Sequence, residues 1–223
     1  MSENPLPFVG SGMLDETPSV LIVDDDAEFR NSVARLLRTV GLHTQEFSSV
    51  SDFLQADPWD GPTCLVLDVR IPGRSGLELQ RDLAAANRQV PIIFITAHAD
   101  VPMTVQAMKG GAMEFLTKPF RDQDLIEAVE AGIARDRARR ESDKALAGLR
   151  ERFDKLSARE REIMLHVMAG RLNKQIAHDI GIAESTVKVH RTNLMRKMKA
   201  RSIPELSRMA GILNLVPSEP QSS

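Results

Sequence analysis

The chain has almost no cysteine, no long apolar run and no internal repeat. Cys64 is the only cysteine in 223 residues, so no internal disulfide can form. Its place in the run CLVLD predicts a buried structural thiol. The apolar runs are too short to cross a bilayer, and no membrane partner is expected. The opening stretch MSENPLPFVGSGMLDETPS lacks the basic and apolar regions of a secretory signal, so a cytoplasmic protein is the expectation. The five histidines show no metal-ligand spacing.

What is present is an uneven distribution of charge. The formal net charge is only −2, yet residues 154–223 hold 12 Lys/Arg against 7 Asp/Glu, and residues 1–153 hold 17 against 24. An acidic front suits cation or phosphate chemistry, and a basic back suits a polyanion.

Strands and helices alternate in the front. Apolar, β-branched runs predict strands over 20–24, 43–47, 64–68, 91–96 and 114–117. Helical spacing predicts helices from Ala27, over 51–56, 76–85 and 102–109, and from Arg121. Such βα units build an α/β fold with a doubly wound, five-stranded parallel sheet. The charged stretch 138–153 contains good helix formers and no proline, and is expected to be a solvated helical linker. The rest reads as a small all-α unit. Ser157/Glu160 and Ser202/Glu205 are spaced as capping boxes, while Gly170 and Gly181 punctuate the helices between them. Residues 1–18 and 217–223 are expected to be flexible lead-in and tail.

Polar residues fall at the carboxyl ends of the predicted strands: LIVDDD, LVLDVRIPG, IFITA and KPF. In an open parallel sheet that edge is where ligands bind. It would gather Asp24, Asp25, Asp68, Thr96 and Lys118. Carboxylates supply the hard oxygens that Mg²⁺ demands, and Mn²⁺ or another divalent cation can substitute. A carboxylate can also attack phosphorus in line, while an ammonium and a hydroxyl cradle the phosphoryl oxygens. Pro119 would hold the lysine's loop, and an X–Pro bond there can be cis.

These motifs (VDD at 23–25, D-x-R-x-P-G-x-S-G at 68–76, TA at 96–97 and KPF at 118–120) resemble the receiver domain of two-component response regulators. The likeness spans roughly residues 19–137 and is nearest the FixJ branch. It implies that Asp68 is the phosphoacceptor and that Asp24, Asp25, Asp68 and the backbone carbonyl of Arg70 hold the metal. It implies also that Thr96 and Lys118 bind the phosphoryl group, and that Phe115 turns inward when Thr96 moves. Asp26 is read as a bystander. A sensor histidine kinase is the implied donor, and residues 100–117 the implied dimerising face after phosphorylation.

In the back, 172–180, a glycine-containing turn and 186–198 form a helix–turn–helix pattern. Val187, Leu194 and Met198 share one face, leaving Lys188, Val189 and Thr192 free to enter a major groove. Lys174, Arg191, Arg196, Lys197 and Lys199 add charge suited to phosphates. The stretch TVKVHRTNLMRKM resembles the LuxR/NarL-type domain over about 154–216. That likeness puts Lys188, Val189 and Thr192 at the bases, and Lys174, Thr186, His190 and Arg191 at the DNA backbone. Leu172 and Ala183 stand where such domains often carry a capping serine, predicting weaker helix starts.

The whole resembles a NarL/FixJ-family response regulator: a transcription factor acting on promoter DNA and RNA polymerase, with activation the usual outcome, and not an enzyme. Two other classes fit the sequence less well. An aspartyl-phosphate phosphatase would place its nucleophile at Asp24 in a D-x-D-x-T loop, but Ala27 and Glu28 follow and the threonine is missing. A protein-binding switch would not need the intact TVKVHR helix.

Overall fold

The computed structural model describes residues 17–57 and 59–215. The expected lead-in therefore lies almost wholly, and the tail wholly, outside the described residues. The chain divides into two compact units, with the division between Arg140 and Glu141.

In the first unit the strands are β1 (Ser19–Val23), β2 (His43–Phe47), β3 (Thr63–Asp68), β4 (Ile92–Thr96) and β5 (Glu114–Thr117). They pair in parallel in the order β2-β1-β3-β4-β5. Between them run α1 (Ala27–Thr39), α2 (Val50–Gln55), α3 (Gly76–Ala85) and α4 (Val101–Lys109). After β5 comes α5 (Asp122–Asp154). Strand alternation sends Val20, Ile22, Val66, Ile93 and Ile95 to one core with Leu37 of α1 and Leu125 and Val129 of α5. Leu21, Val23, Leu65, Leu67 and Phe94 face the other way, onto Phe53, Leu79 and Ala107 of α2, α3 and α4. Both faces are covered, which is why the central strands read as continuous apolar runs. Cys64 is fully buried on the α1/α5 side, and burial, with the Asp136 charge adding to it, pushes its thiol up to about 12.

The helix starts have identifiable causes. Asp26, read as a bystander, caps α1: its carboxylate accepts the amides of Glu28 and Phe29 at 3.0 and 3.1 Å. Ser75 and Glu78 close a capping box on α3, and Asp100 caps α4.

The stretch 138–153 is helical and exposed along most of its length. It lies within α5, and both of its ends are engaged. Asp136, just before it, is buried and accepts the Thr63 amide at 2.9 Å, together with Arg139 and Arg140. Arg140 also donates to the carbonyls of Asp60 and Trp59. At the other end Leu149 is buried and Phe153 half-buried in the core of the second unit. A buried carboxylate needs charged or amide partners, and those came from residues that composition alone assigns to solvent.

The second unit adds α6 (Ala158–Met168), α7 (Asn173–Ile180), α8 (Glu184–Met198) and α9 (Ile203–Ile212). Ile163, Val167, Ile176, Val187, Leu194, Met198 and Leu206 form its core. Ser157 and Glu160 make the expected capping box. At α9 only half of one forms. Ser202 accepts the Glu205 amide at 3.3 Å, but the Glu205 carboxylate takes the amide of Arg201 at 2.8 Å. The starts of α7 and α8, at Leu172 and Ala183, have no side-chain oxygen as cap. Gln175 partly compensates by accepting the Leu172 amide at 2.9 Å.

Candidate functional site

The parallel sheet places the carboxyl ends of β1, β3, β4 and β5 along one edge, and the polar residues collect there. Asp24 follows β1 and is fully buried, and Asp68 ends β3 at 8% exposure. Lys118 directly follows β5, and the Lys118–Pro119 peptide after it is cis. Its ammonium donates to Asp24 Oδ2 at 2.8 Å and to Asp68 Oδ2 at 3.0 Å. The remaining oxygens of both carboxylates are also engaged. Asp24 Oδ1 accepts the Asp26 amide and Asp68 Oδ1 the Arg70 amide, each at 2.8 Å. Thr96 ends β4, is buried, and its hydroxyl accepts the His98 amide at 3.3 Å.

Burial pushes the Asp24 carboxyl above the usual carboxylate range, against the pull of Lys118 and the Asp26 amide. Burial also works against the Lys118 charge, but the hydrogen bonds and charges of Asp24 and Asp68 more than offset it and raise its pKa. The lysine is further fixed by the ring of Phe29, 3.6 Å from the ammonium to the centroid.

The donor set fits a hard divalent cation. Ligating oxygens of Asp24, Asp25 and Asp68 lie within 4.8 Å of one another, with no sulfur or imidazole among them. Asp25 is exposed and, among the described residues, its side chain has no hydrogen bond or ion pair, so its carboxylate is free to take a cation. The loop after Asp68 is shaped by Gly76, where a Cβ would come within 2.3 Å of the Asp68 carbonyl oxygen. Only glycine lets α3 start this close to the acidic strand end. Phe115, on β5, is half-buried and packs in a tilted arrangement on Phe94, with centroids 6.2 Å apart.

In the second unit Val187, Leu194 and Met198 are buried along one side of α8. Lys188, Val189, Thr192 and Thr186 are exposed, as is Lys174 on α7. Val189 is 59% exposed, a large apolar side chain left in solvent on an otherwise basic helix face. Gly181, at φ +67°, makes the left-handed turn from α7 toward α8. Arg191 donates to Asn173 at 2.9 Å and is half-buried, which ties the two helices together.

Residues 20–130 match the family described as response regulator receiver domain, and residues 154–210 match the bacterial regulatory proteins of the luxR family. The chain is 50% identical over 196 residues to nodulation protein W of Bradyrhizobium diazoefficiens, covering 88% of this chain and 86% of that protein. The chain belongs to the NarL/FixJ family of response regulators. It is also 42% identical over 206 residues to the transcriptional regulatory protein FixJ of Azorhizobium caulinodans, covering 92% of this chain and 98% of that one. The low-resolution structure of response regulator StyR matches with a TM-score of 0.83 and 45% identity, over 87% of this chain and 98% of that one. The receiver implies a histidine kinase as partner, and the helix–turn–helix implies DNA. This is a family of cytoplasmic transcription regulators rather than enzymes. Among the described residues no helix is long and apolar enough to cross a membrane.

One expectation for this response regulator needs correcting, and two residues were missed. Lys197, counted among the charges for DNA phosphates, is turned to the protein: its ammonium meets Glu160 Oε2 at 2.7 Å and the Lys155 carbonyl at 3.1 Å. Glu160 is 3% exposed and needs that counter-charge. Arg30 was missed, although its guanidinium donates to the Asp24 carbonyl at 2.6 Å and so braces the acidic loop. Phe29 was missed as the ring beside Lys118. The one available signal was its place on the apolar side of α1, which marks it equally well as a core residue.

Proposed function

We propose that this response regulator is phosphorylated on Asp68 and that the modification controls promoter binding. The observation that carries the reading is the position of Asp68, its carboxylate held between the Lys118 ammonium and the Arg70 amide beside two further acids. In the reaction an Asp68 oxygen attacks the phosphorus of the kinase phosphohistidine. The P–N bond breaks, and its electron pair leaves with the imidazole. Asp24, Asp25, Asp68 and the Arg70 carbonyl are the groups that would hold Mg²⁺, with Mn²⁺ able to substitute. The cation supplies neutralisation of phosphoryl charge. Lys118 already lies 3.0 Å from Asp68 and takes up a phosphoryl oxygen. The buried Thr96 hydroxyl gives up its weak 3.3 Å contact from the His98 amide to donate to the same group. Phe115, packed on Phe94 beside Thr96, follows it inward.

A phosphoryl group adds about −1.5 to −2 of charge, judged from phosphate esters, which suffices to bias a two-state element. Residues 100–117 are that element and the dimerising face. Lys188, Val189 and Thr192 read base edges, while Lys174, Thr186, His190 and Arg191 hold the phosphates. Two copies then meet half-sites about one helical turn apart and engage RNA polymerase as an activator. Residues 19–137 serve as receiver, 138–153 as the helical connection and 154–216 as the reader.

The test is chemical. Incubation with a small acyl phosphate and Mg²⁺ should leave a hydroxylamine-labile phosphate on the wild type and none on Asp68→Asn. Label retained in Asp68→Asn, or formed equally well without any divalent cation, would contradict the assignment.

A further inference from the structure

The amino-terminal edge of the receiver sheet, away from the acidic cluster, carries a groove of its own. Two adjoining cavities of about 430 and 250 Å³ share Leu83, Arg88, Gln89, Val90, Asp136 and Arg139. Arg135 lines the larger cavity, and Phe53, Trp59 and Arg140 line the smaller. The larger volume lies in the usual range for small-molecule pockets, about 300–1,000 Å³.

The charge of this groove runs against its surroundings. Residues 1–153 carry more Asp/Glu than Lys/Arg, yet the two cavities are lined by four arginines and a single carboxylate, Asp136. That carboxylate is already saturated by the Thr63 amide, Arg139 and Arg140. Arg140 is saturated in turn by the carbonyls of Asp60 and Trp59. Arg88 and Arg135 are different: among the described residues neither guanidinium has a hydrogen bond or an ion pair. At the other end of the groove the Trp59 ring stacks on Phe53, with centroids 5.4 Å apart and planes 24° apart. Its indole N–H is held by Gln45 at 2.8 Å, which fixes the ring in place.

We propose that this groove binds a small aromatic anion, a planar ring bearing a phosphate or a carboxylate. The anion lies between Arg88 and Arg135, and the ring lies toward Trp59 and Leu83. Guanidinium groups form short, charge-assisted and often paired hydrogen bonds with both kinds of anion. Indole offers a flat apolar wall for the ring. Because Arg135 stands on α5 and Arg88 on the loop before β4, an occupied groove ties the long helix to the sheet edge.

Trp59 is the only tryptophan of the chain, so its emission reports directly on the groove. The full-length protein is titrated with AMP, with benzoate and with uncharged adenosine, exciting on the red edge of the indole band. AMP or benzoate should change Trp59 emission in a saturable way, and the better of the two names the source of the anion. Adenosine should bind at least about tenfold more weakly than AMP, the loss expected for a missing charge-assisted pair. Arg88→Ala with Arg135→Ala should abolish the response, Arg88→Lys with Arg135→Lys should restore part of it, and Asp68→Asn should leave it unchanged. Both arginine side chains are exposed, and an unaltered circular dichroism melt of the alanine variant shows that the fold is kept. No saturable response to either anion up to millimolar concentration would overturn the proposal. So would equal binding of adenosine, or a response indifferent to the arginine substitutions.

Discussion

In the receiver the side chains proposed for phosphoryl transfer are, apart from the exposed Asp25, buried and already paired, whereas those proposed for DNA reading stand exposed and mostly unpaired. Asp24, Thr96 and Asp68 are 0%, 1% and 8% exposed, and Lys118 bridges two of them. Val189 is 59% exposed, and Lys188 and Lys174 lie in solvent without a side-chain partner among the described residues. The difference follows from the two tasks. Phosphoryl transfer gains from groups preorganised where water cannot screen them. Groove reading needs donors that are free until DNA arrives, and its strength comes largely from counterion release. Substitutions in the receiver should therefore act as a coupled set, and those on the reading helix nearly one by one.

The largest effect is expected at Asp25, the one carboxylate of the cluster with no side-chain partner among the described residues. Asp25→Asn should slow phosphorylation by a small acyl phosphate on the order of 10²-fold, comparable with losing one preorganised electrostatic group. It should also raise the Mg²⁺ concentration needed. An unchanged Mg²⁺ dependence would break the contrast between an open Asp25 and a saturated Asp24.

Next comes Lys118. Lys118→Ala leaves the buried Asp24 and nearby Asp68 without their common counter-charge, and should cost about 1–3 kcal/mol in urea unfolding without divalent cations. Mg²⁺ should recover more stability in the variant than in the wild type. Equal gains in both proteins would show that the ammonium and the cation do not share a role.

On the reading helix, Lys188→Ala should lose about 1–3 kcal/mol in operator binding and relax preference at one base pair. Lys174→Ala should weaken all sequences alike and flatten the salt dependence by about one ion. The double variant should lose the sum of the two. Strong non-additivity would erase the distinction drawn between the two regions.

A smaller effect tests the one internal ion pair of the second unit that sequence assigned to DNA. Glu160 is held below the usual glutamate range. Burial opposes its charge, but Lys197 and the Ser157 amide and hydroxyl outweigh it. A depressed folded-state value adds stability that is present above the ordinary glutamate pKa and lost as pH falls through the folded one. Glu160→Gln should therefore cost about 1 kcal/mol near neutral pH, with the gap to wild type closing below about pH 4.5. A constant gap down to acid pH would assign the loss to packing instead.

Much of this was legible from sequence because period and position carry it. The continuous apolar runs Val20 to Val23 and Cys64 to Leu67 located the strands, and the polar residue after each run located the edge that carries Asp24, Asp68, Thr96 and Lys118. The spacing of Val187, Leu194 and Met198 gave the buried side of the reading helix. What escaped depends on contacts between distant segments. The charged run after Ile133 reads as solvated, yet Asp136 is drawn inward by the Thr63 amide 73 residues away. Lys197 looks like any lysine on a basic helix until buried Glu160 claims it. Ser202 and Glu205 have the spacing of a capping box, but the carboxylate reached one residue further back, a choice set by local backbone geometry rather than by residue type.

The most direct test of phosphorylation-controlled DNA reading is selection from a random DNA pool by wild type and Asp68→Asn, each with and without a small acyl phosphate and Mg²⁺. A palindrome with half-sites about one helical turn apart, enriched chiefly by the phosphorylated wild type, is the expected result. Equal enrichment by Asp68→Asn under the same conditions, or none by a wild type carrying phosphate on Asp68, would contradict the coupling of the two units.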